Sequence, residues 1–489
     1  MKKHIILSIA ILSALTACKK SWLEIVPQGQ LVSVTTNDYD KLMNDPNLYI
    51  YYSTGGFQEP QLMGDEVAAE GTYFASLGTT DIYRQRFFQW ADSIYPTADA
   101  TPFALRNYTQ QMYEVNKIIA EVMASPGGSD EQKKAIRAEA QATRAFFIFN
   151  LANYYCKPYL ASTAGTDPGF PFTTEPSVTT AVFKRGTLQE TYDFIIKDLQ
   201  EALQYVPAKQ AYVTRMSKPA VEGLLGKVYL FMGRYNDALP LLKAAMADVA
   251  VNGQTVLYNY NQTLAPGGAF LPANATTGPK GPGQNQTDVT EAVISKVFNC
   301  GAWGGNQTGN NGLVLTPQAQ ALYGSSDWRL LFYTNKNKDN SINAAGRLRK
   351  YGYAFSRFGL QLPELYLLTA EAKARANDLT GAVTDVETLR RNRMPVADAP
   401  VPVAIAGNQT SLIKFIIDER IREFAMEGYR WFDMRRLSVD PIFAGMNFTH
   451  TIYNADGTAT VYTLKQPNRL VLQFPRNITD ANPGMENNP

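Results

Sequence analysis

The feature that most constrains this chain is a short run of small and apolar residues near its middle. Leu225-Gly226-Lys227-Val228-Tyr229 is followed by Gly233, Tyr235, Ala238, Leu242 and Ala245. Residues three and four apart share one face of a helix, so these positions trace the contact line of two helices. Gly226 and Ala238 let two antiparallel helices approach closely, while Tyr229 and Leu242 fill the space beside them. Such a unit cannot bury its apolar face alone, so several should stack.

The spacing matches the tetratricopeptide pattern of L-G-x2-Y, a small residue, and then A-x3-hydrophobe. A second unit runs from Leu365 to Arg393, with Ala370 and Ala382 at the close contacts. Phe146 to Tyr155 and Leu188 to Val206 read as a third pair, split by a Pro-, Gly- and Thr-rich loop at 157–185. Before them, Leu105, Tyr108, Met112, Val115, Ile118, Ile119 and Val122 form a helical stripe over 103–123 that Pro126-Gly127-Gly128 stops. Ser129 and Gln132 fit a capping box for a helix reaching about Tyr155, and Thr187 caps one that ends before Pro207. Asn37 is the expected cap of a short helix carrying Tyr39, Leu42 and Met43. The chain is therefore expected to be mainly α, with helical repeats at about 101–250 and 358–437.

The other parts are irregular. Residues 55–100 lack a sustained period and are crowded with rings, and 251–357 holds long Gly- and Pro-rich runs around a strand-like stretch, Ala292 to Phe298. Loops this long within a folded body are usually functional or disordered.

The N-terminus sets the compartment. Met1-Lys2-Lys3, the apolar run Ile5 to Leu15 and Leu15-Thr16-Ala17-Cys18 have the layout of a secretory signal ending in a lipobox-like motif. Residues 1–17 are expected to be removed. Cys18 is expected to carry the lipid at the head of a tether covering 18–35, with one body at 36–489. No later stretch is long and apolar enough to span a bilayer. A net charge of +2 gives no basic field for nucleic acid. Cys156 and Cys300 are the cysteines after Cys18, so at most one disulfide is possible, and without a CxxC no zinc site or other metal centre is expected. His4 leaves with the signal and His450 stands alone, which removes triads and His-metal chemistry, and no cofactor is expected.

Four segments then carry a resemblance. They are Ala138-Glu139-Ala140 with Arg144 to Phe149 and Leu151; the Leu225 repeat; Leu362 to Ala372; and the carboxylate- and arginine-rich run Asp418 to Arg436. With the tail from Phe474-Pro475 to Asn482-Pro483-Gly484 and the lipobox, they resemble the SusD/RagB family of nutrient-binding outer-membrane lipoproteins. The resemblance implies a SusD-like superhelix of four tetratricopeptide-like pairs, with the two irregular, sparsely stranded regions at about 55–100 and 251–357 forming the ligand face. It also implies a SusC-like TonB-dependent transporter as partner and a glycan, or in one branch a peptide, as ligand. Lys19 and Lys20 are not the acidic start often seen on exported relatives.

Within Asp418 to Arg436, Glu427 and Arg430, and Asp433 and Arg436, are three apart and read as ion pairs along one helix, and Glu139 and Arg144 are likewise given a structural role. These are structural, and Trp431 and Trp328 are assigned to the frame. Sugar receptors stack pyranose faces on aromatic rings and bond hydroxyls with amide and charged edges. Trp303, in a glycine-rich loop with Asn306 and Gln307 nearby, is the leading ligand candidate, followed by Tyr73, Phe74 and Trp90. An enzyme would need two carboxylates, for which Asp65, Glu66 and Glu70 are the candidates. The expected role is binding without catalysis.

Overall fold

The computed structural model describes residues 33–52, 59–72, 74–75, 82–95, 97, 100, 102–176, 183–274, 278–299, 312–336, 341–343, 345–351 and 354–489. Its helical frame comprises α1 (Thr36–Leu42), α2 (Phe103–Glu121), α3 (Asp130–Tyr155), α4 (Leu188–Leu203), α5 (Lys218–Phe231), α6 (Tyr235–Asn252), α7 (Leu362–Arg375), α8 (Leu379–Arg391), α9 (Gln409–Phe424) and α10 (Tyr429–Leu437). Local chemistry sets the ends. Ser129 accepts from Gln132 N to open α3, Thr187 and Glu190 form a reciprocal box before α4, and Gly253 closes α6 at φ +62°. The cap of α1 is Thr35, which shares a capping box with Asp38; Asn37, the expected cap, lies inside the first turn.

The helices pack as successive pairs: α3 with α4, α5 with α6, α7 with α8, and α9 with α10. α2 lies along α3, α4 meets α5, α6 meets α7, and α7 meets α9, so each pair buries part of the next. The α5–α6 contact is as the repeat spacing requires. A Cβ on Gly226 would stand 2.7 Å from Leu242 Cγ and 3.3 Å from Ala238 O. Ala238, Leu242, Ala245, Ala370 and Ala382 are fully buried.

Short strands decorate this frame: β1 (Ile50–Tyr52), β2 (Val67–Glu70), β3 (Ala292–Ile294), β4 (Val297–Asn299), β5 (Leu313–Leu315), β6 (Tyr333–Thr334), β7 (Arg349–Lys350), β8 (Phe355–Arg357), β9 (Leu360–Gln361), β10 (Thr449–Tyr453) and β11 (Ala459–Thr463). They form sheets in the orders β1-β4-β8, β11-β10-β2-β5, β3-β9 and β6-β7. The single strand expected at 292–298 is two, because Ser295 and Lys296 turn out of the ladder. Ser295 N donates to Val213 O, and the buried Lys296 donates to Leu48 O at 2.8 Å.

The run Asp418 to Arg436 is two helices rather than one. Met426 at φ +65° and Gly428 at φ +92° break it between α9 and α10. Asp433 and Arg436 do pair, at 2.9 Å, but Glu427 and Arg430 do not. Glu427 precedes the helix and holds Lys350 at 2.7 Å and Arg357, while Arg430 reaches Asp65 at 2.5 Å. Likewise Glu139 binds Arg215 and Arg144 binds Asp198. The residues are structural as expected, yet they tie distant segments together instead of supporting their own helices. Trp431 is fully buried. His450 is sandwiched between Phe88 and Trp90, with ring centroids 4.3 and 3.8 Å away. Its nitrogens lie 2.5 and 2.7 Å from Phe88 O and Gly64 O. Cys156 is buried and free, and Cys300 lies outside the described residues.

The α9–α10 break is braced by Glu66, which is 2% exposed and accepts from Met426 N at 3.1 Å. Burial, and then the neighbouring Asp65, push its carboxyl up to about 7. Between about pH 4.5 and 7 the folded chain therefore holds a proton that the unfolded chain has released. The stability this residue contributes is complete below that window and is lost as pH climbs through it. Glu66→Gln keeps the acceptor for Met426 and removes the charge. Relative to the parent it should gain roughly 1–3 kcal/mol on going from pH 5 to pH 8, read by denaturant unfolding at the two pH values. Gly226→Val, which forces branched carbon into Leu242, should cost about 1–3 kcal/mol and lower the denaturation midpoint without changing the ligand specificity of the folded protein.

Candidate ligand-binding site

One end of the four-stranded sheet gathers residues from four distant parts of the chain. β2 is central: Tyr453 of β10 pairs in register with Glu70 on one side, and Leu313 of β5 pairs with Ala69 on the other. Glu70 N donates to Gly312 O at 2.6 Å, fixing where β5 begins. Arg347, just ahead of β7, reaches across. Its Nε and Nη2 donate to the two Glu70 oxygens at 2.6 and 2.9 Å, and its guanidinium lies 3.9 Å from the Tyr453 ring centroid. Asn343 Nδ2 adds a third bond to Glu70 at 2.7 Å. The hydrogen bonds that Arg347 donates to Glu70 keep its guanidinium firmly charged.

This cluster is half-buried: the Arg347 side chain is 22% exposed and that of Glu70 14%. The carboxylate and guanidinium cancel each other's charge, so the cluster presents a planar stack and hydrogen-bonding edges without a net field. Such edges suit hydroxyl groups, each of which both donates and accepts.

Of the residues singled out in the sequence, Tyr73, Trp303, Asn306 and Gln307 lie outside the described residues. Their chain neighbours are described and meet here. Glu70 precedes Tyr73 by three positions, and Gly312, bonded to Glu70, follows the segment holding Trp303. That segment departs from Asn299, which pairs with Tyr52 and Phe355 in the three-stranded sheet.

Phe74 and Trp90 are corrected from ligand candidates to core. Phe74 is 6% exposed and packs on Phe88 with centroids 5.0 Å apart. Trp90 is 3% exposed, stacks on His450 and donates Nε1 to Met63 O at 3.2 Å. Both are drawn inward by the ring-dense Arg84–Trp90 stretch, where a helix, Ile82–Phe88, forms in place of the expected irregular chain. Nothing local marked Arg347, Asn343 or Tyr453, which come together only through sheet pairing.

The three carboxylates considered for catalysis are each engaged: Asp65 by Arg430, Glu66 by Met426 N, and Glu70 by Arg347 and Asn343. Elsewhere, a groove of about 310 Å³ between α2 and the C-terminal segment has mostly apolar walls, including Met112, Phe170, Phe172 and Phe474, and offers little to hydroxyls. Among the described residues no group of His, Cys, Asp and Glu is arranged to hold a metal ion.

A family model described as "Starch-binding associating with outer membrane" matches residues 56–230, and one described as "SusD family" matches 299–489. SusD-like protein P2 of Formosa agariphila is 24% identical over 404 residues, covering 73% of this chain and 75% of that protein. A putative sugar binding protein from Bacteroides vulgatus superposes with a TM-score of 0.67 at 20% identity, over 94% of this chain and 99% of its own. A laminarin binding SusD-like protein superposes with a TM-score of 0.59 at 16% identity, over 94% and 100%. Two models of one family between them span most of the sequence, and the helical frame with its sparse strands is shared with these structures; the chain belongs to the SusD/RagB family.

Proposed function

We propose that this protein is a surface-exposed lipoprotein, anchored through Cys18, that binds oligosaccharides or polysaccharides and delivers them to a SusC-like TonB-dependent transporter. The ligand is held at the sheet end built from Glu70, Asn343, Arg347 and Tyr453, with Trp303, Tyr73, Asn306 and Gln307 supplying further contacts. The observation that carries this reading is the bond between Glu70 and Gly312. It brings the exits of the Tyr73 and Trp303 segments beside a charge-neutral aromatic and guanidinium stack. The family is associated with starch binding and the outer membrane, and among the described residues no helix is long and apolar enough to cross a membrane. That fits attachment through a lipid rather than through a spanning helix.

Binding here needs no catalysis. The buried or paired state of Asp65, Glu66 and Glu70 supports a receptor that leaves glycosidic bonds intact. Purified protein incubated with glycans should release no new reducing ends. On a cognate glycan, calorimetry should show that Trp303→Ala weakens binding by at least about 1 kcal/mol, with the melting temperature unchanged. Arg347→Ala should weaken it by about 1–2 kcal/mol through loss of the stack over Tyr453. Affinity for peptide digests and none for any polysaccharide would replace the glycan reading with a peptide receptor of the RagB type.

A further inference from the structure

We propose that the small cavity beneath Tyr260 and Tyr351 is a binding site for a monovalent anion of halide size. The cavity lies between the 279–284 segment and the junction of α9 with α10, and holds about 40 Å³, room for a halide with one or two waters and too little for a sugar ring. Its walls carry four cations, Arg329, Lys350, Arg357 and Arg422, against two carboxylates, Glu423 and Glu427.

The carboxylates are already committed. Glu423 accepts from Arg329 and Arg393, and Glu427 accepts from Lys350 and Arg357. The donors are not all used. Arg422 spends Nε on Leu322 O and Nη1 on Glu419, and Nη2 has no protein acceptor. Arg357 places Nη1 and Nη2 on Glu291 and Glu427 at long distances, 3.3 and 3.4 Å, and Nε has none. The Tyr260 hydroxyl has none either, although Tyr260 is only 4% exposed and Arg357 and Arg422 only 8%. Three donors without a protein acceptor, on side chains that are themselves more than nine-tenths buried, favour an occupant that accepts hydrogen bonds and carries negative charge. A metal cation would meet four like charges there. The bound anion would pin the 279–284 segment to the α9–α10 junction and stabilise the fold by mass action.

The test compares sodium bromide with sodium gluconate at equal ionic strength, gluconate being too large for the space. Bromide should raise the melting temperature by about 1–3 °C over gluconate. Crystals grown in bromide should give an anomalous peak within the cavity. Tyr260→Phe, which removes one donor and keeps the ring, should cut the bromide-dependent rise at least by half. Arg422→Gln is a harsher variant, since it also abandons Glu419 and Leu322 O. Equal melting temperatures in the two salts, or cavity density without anomalous signal, would sink the proposal.

Discussion

Glu419 and Glu423, one turn apart on α9, are where the helical frame and the loop-rich side are joined. Glu419 receives Arg329, Arg390 and Arg422, and Glu423 receives Arg329 and Arg393. Arg393 passes the connection to Glu291 at 2.6 Å, beside β3, and Arg357 links Glu291 to Glu427. Burial alone would push the Glu419 carboxyl up, but Arg329, Arg422 and Arg390 more than offset it and hold it well below the usual range. Buried pairs of this kind add little net stability, because desolvation consumes much of the attraction. Breaking one is another matter: it strands a charge and costs about 3–5 kcal/mol. The lattice therefore dictates placement. Chain segments that share no hydrophobic pattern are held in one arrangement because any other leaves a charge unpaired.

The same logic explains what the sequence disclosed. Helix faces, the caps at Ser129 and Thr187 and the Gly226–Leu242 contact depend on residues a few positions apart, and those were legible. The carboxylates and arginines of 418–436 were legible as structural but not as to partner. Glu427 and Arg430 have the spacing of a helical pair, yet Gly428 lies between them in a left-handed turn, and each then faces a different part of the molecule. Trp90 looked like a spare ring because its covering partner, His450, lies some 360 positions away, and Phe74 because it packs on Phe88, which stacks on that same histidine. Arg347 and Tyr453 gave no signal at all, since a site assembled by strand register has no local period.

The loop-rich side and the frame share one apolar core, and polar ties add to it at the α9–α10 break. Asp65 and Glu66, two and one positions ahead of β2 (Val67–Glu70), hold Arg430 and Met426 at the α9–α10 break. Lys350 of β7 reaches Glu427 and Ala425 O at the same break. The sheet end carrying Glu70, Arg347 and Tyr453 is thus tied to the α9–α10 break, although its own strands are only a few residues long.

The segment between Asn299 and Gly312 is fastened at both ends by main-chain bonds: β4 to β1 and β8, and Gly312 O to Glu70 N. Backbone fastenings are indifferent to side-chain identity, and closing a longer loop adds only a fraction of a kcal/mol per doubling of its length. The two strand ends work as a socket that makes no demand on the side chains between them, so that stretch can change in composition and length while the scaffold stays the same.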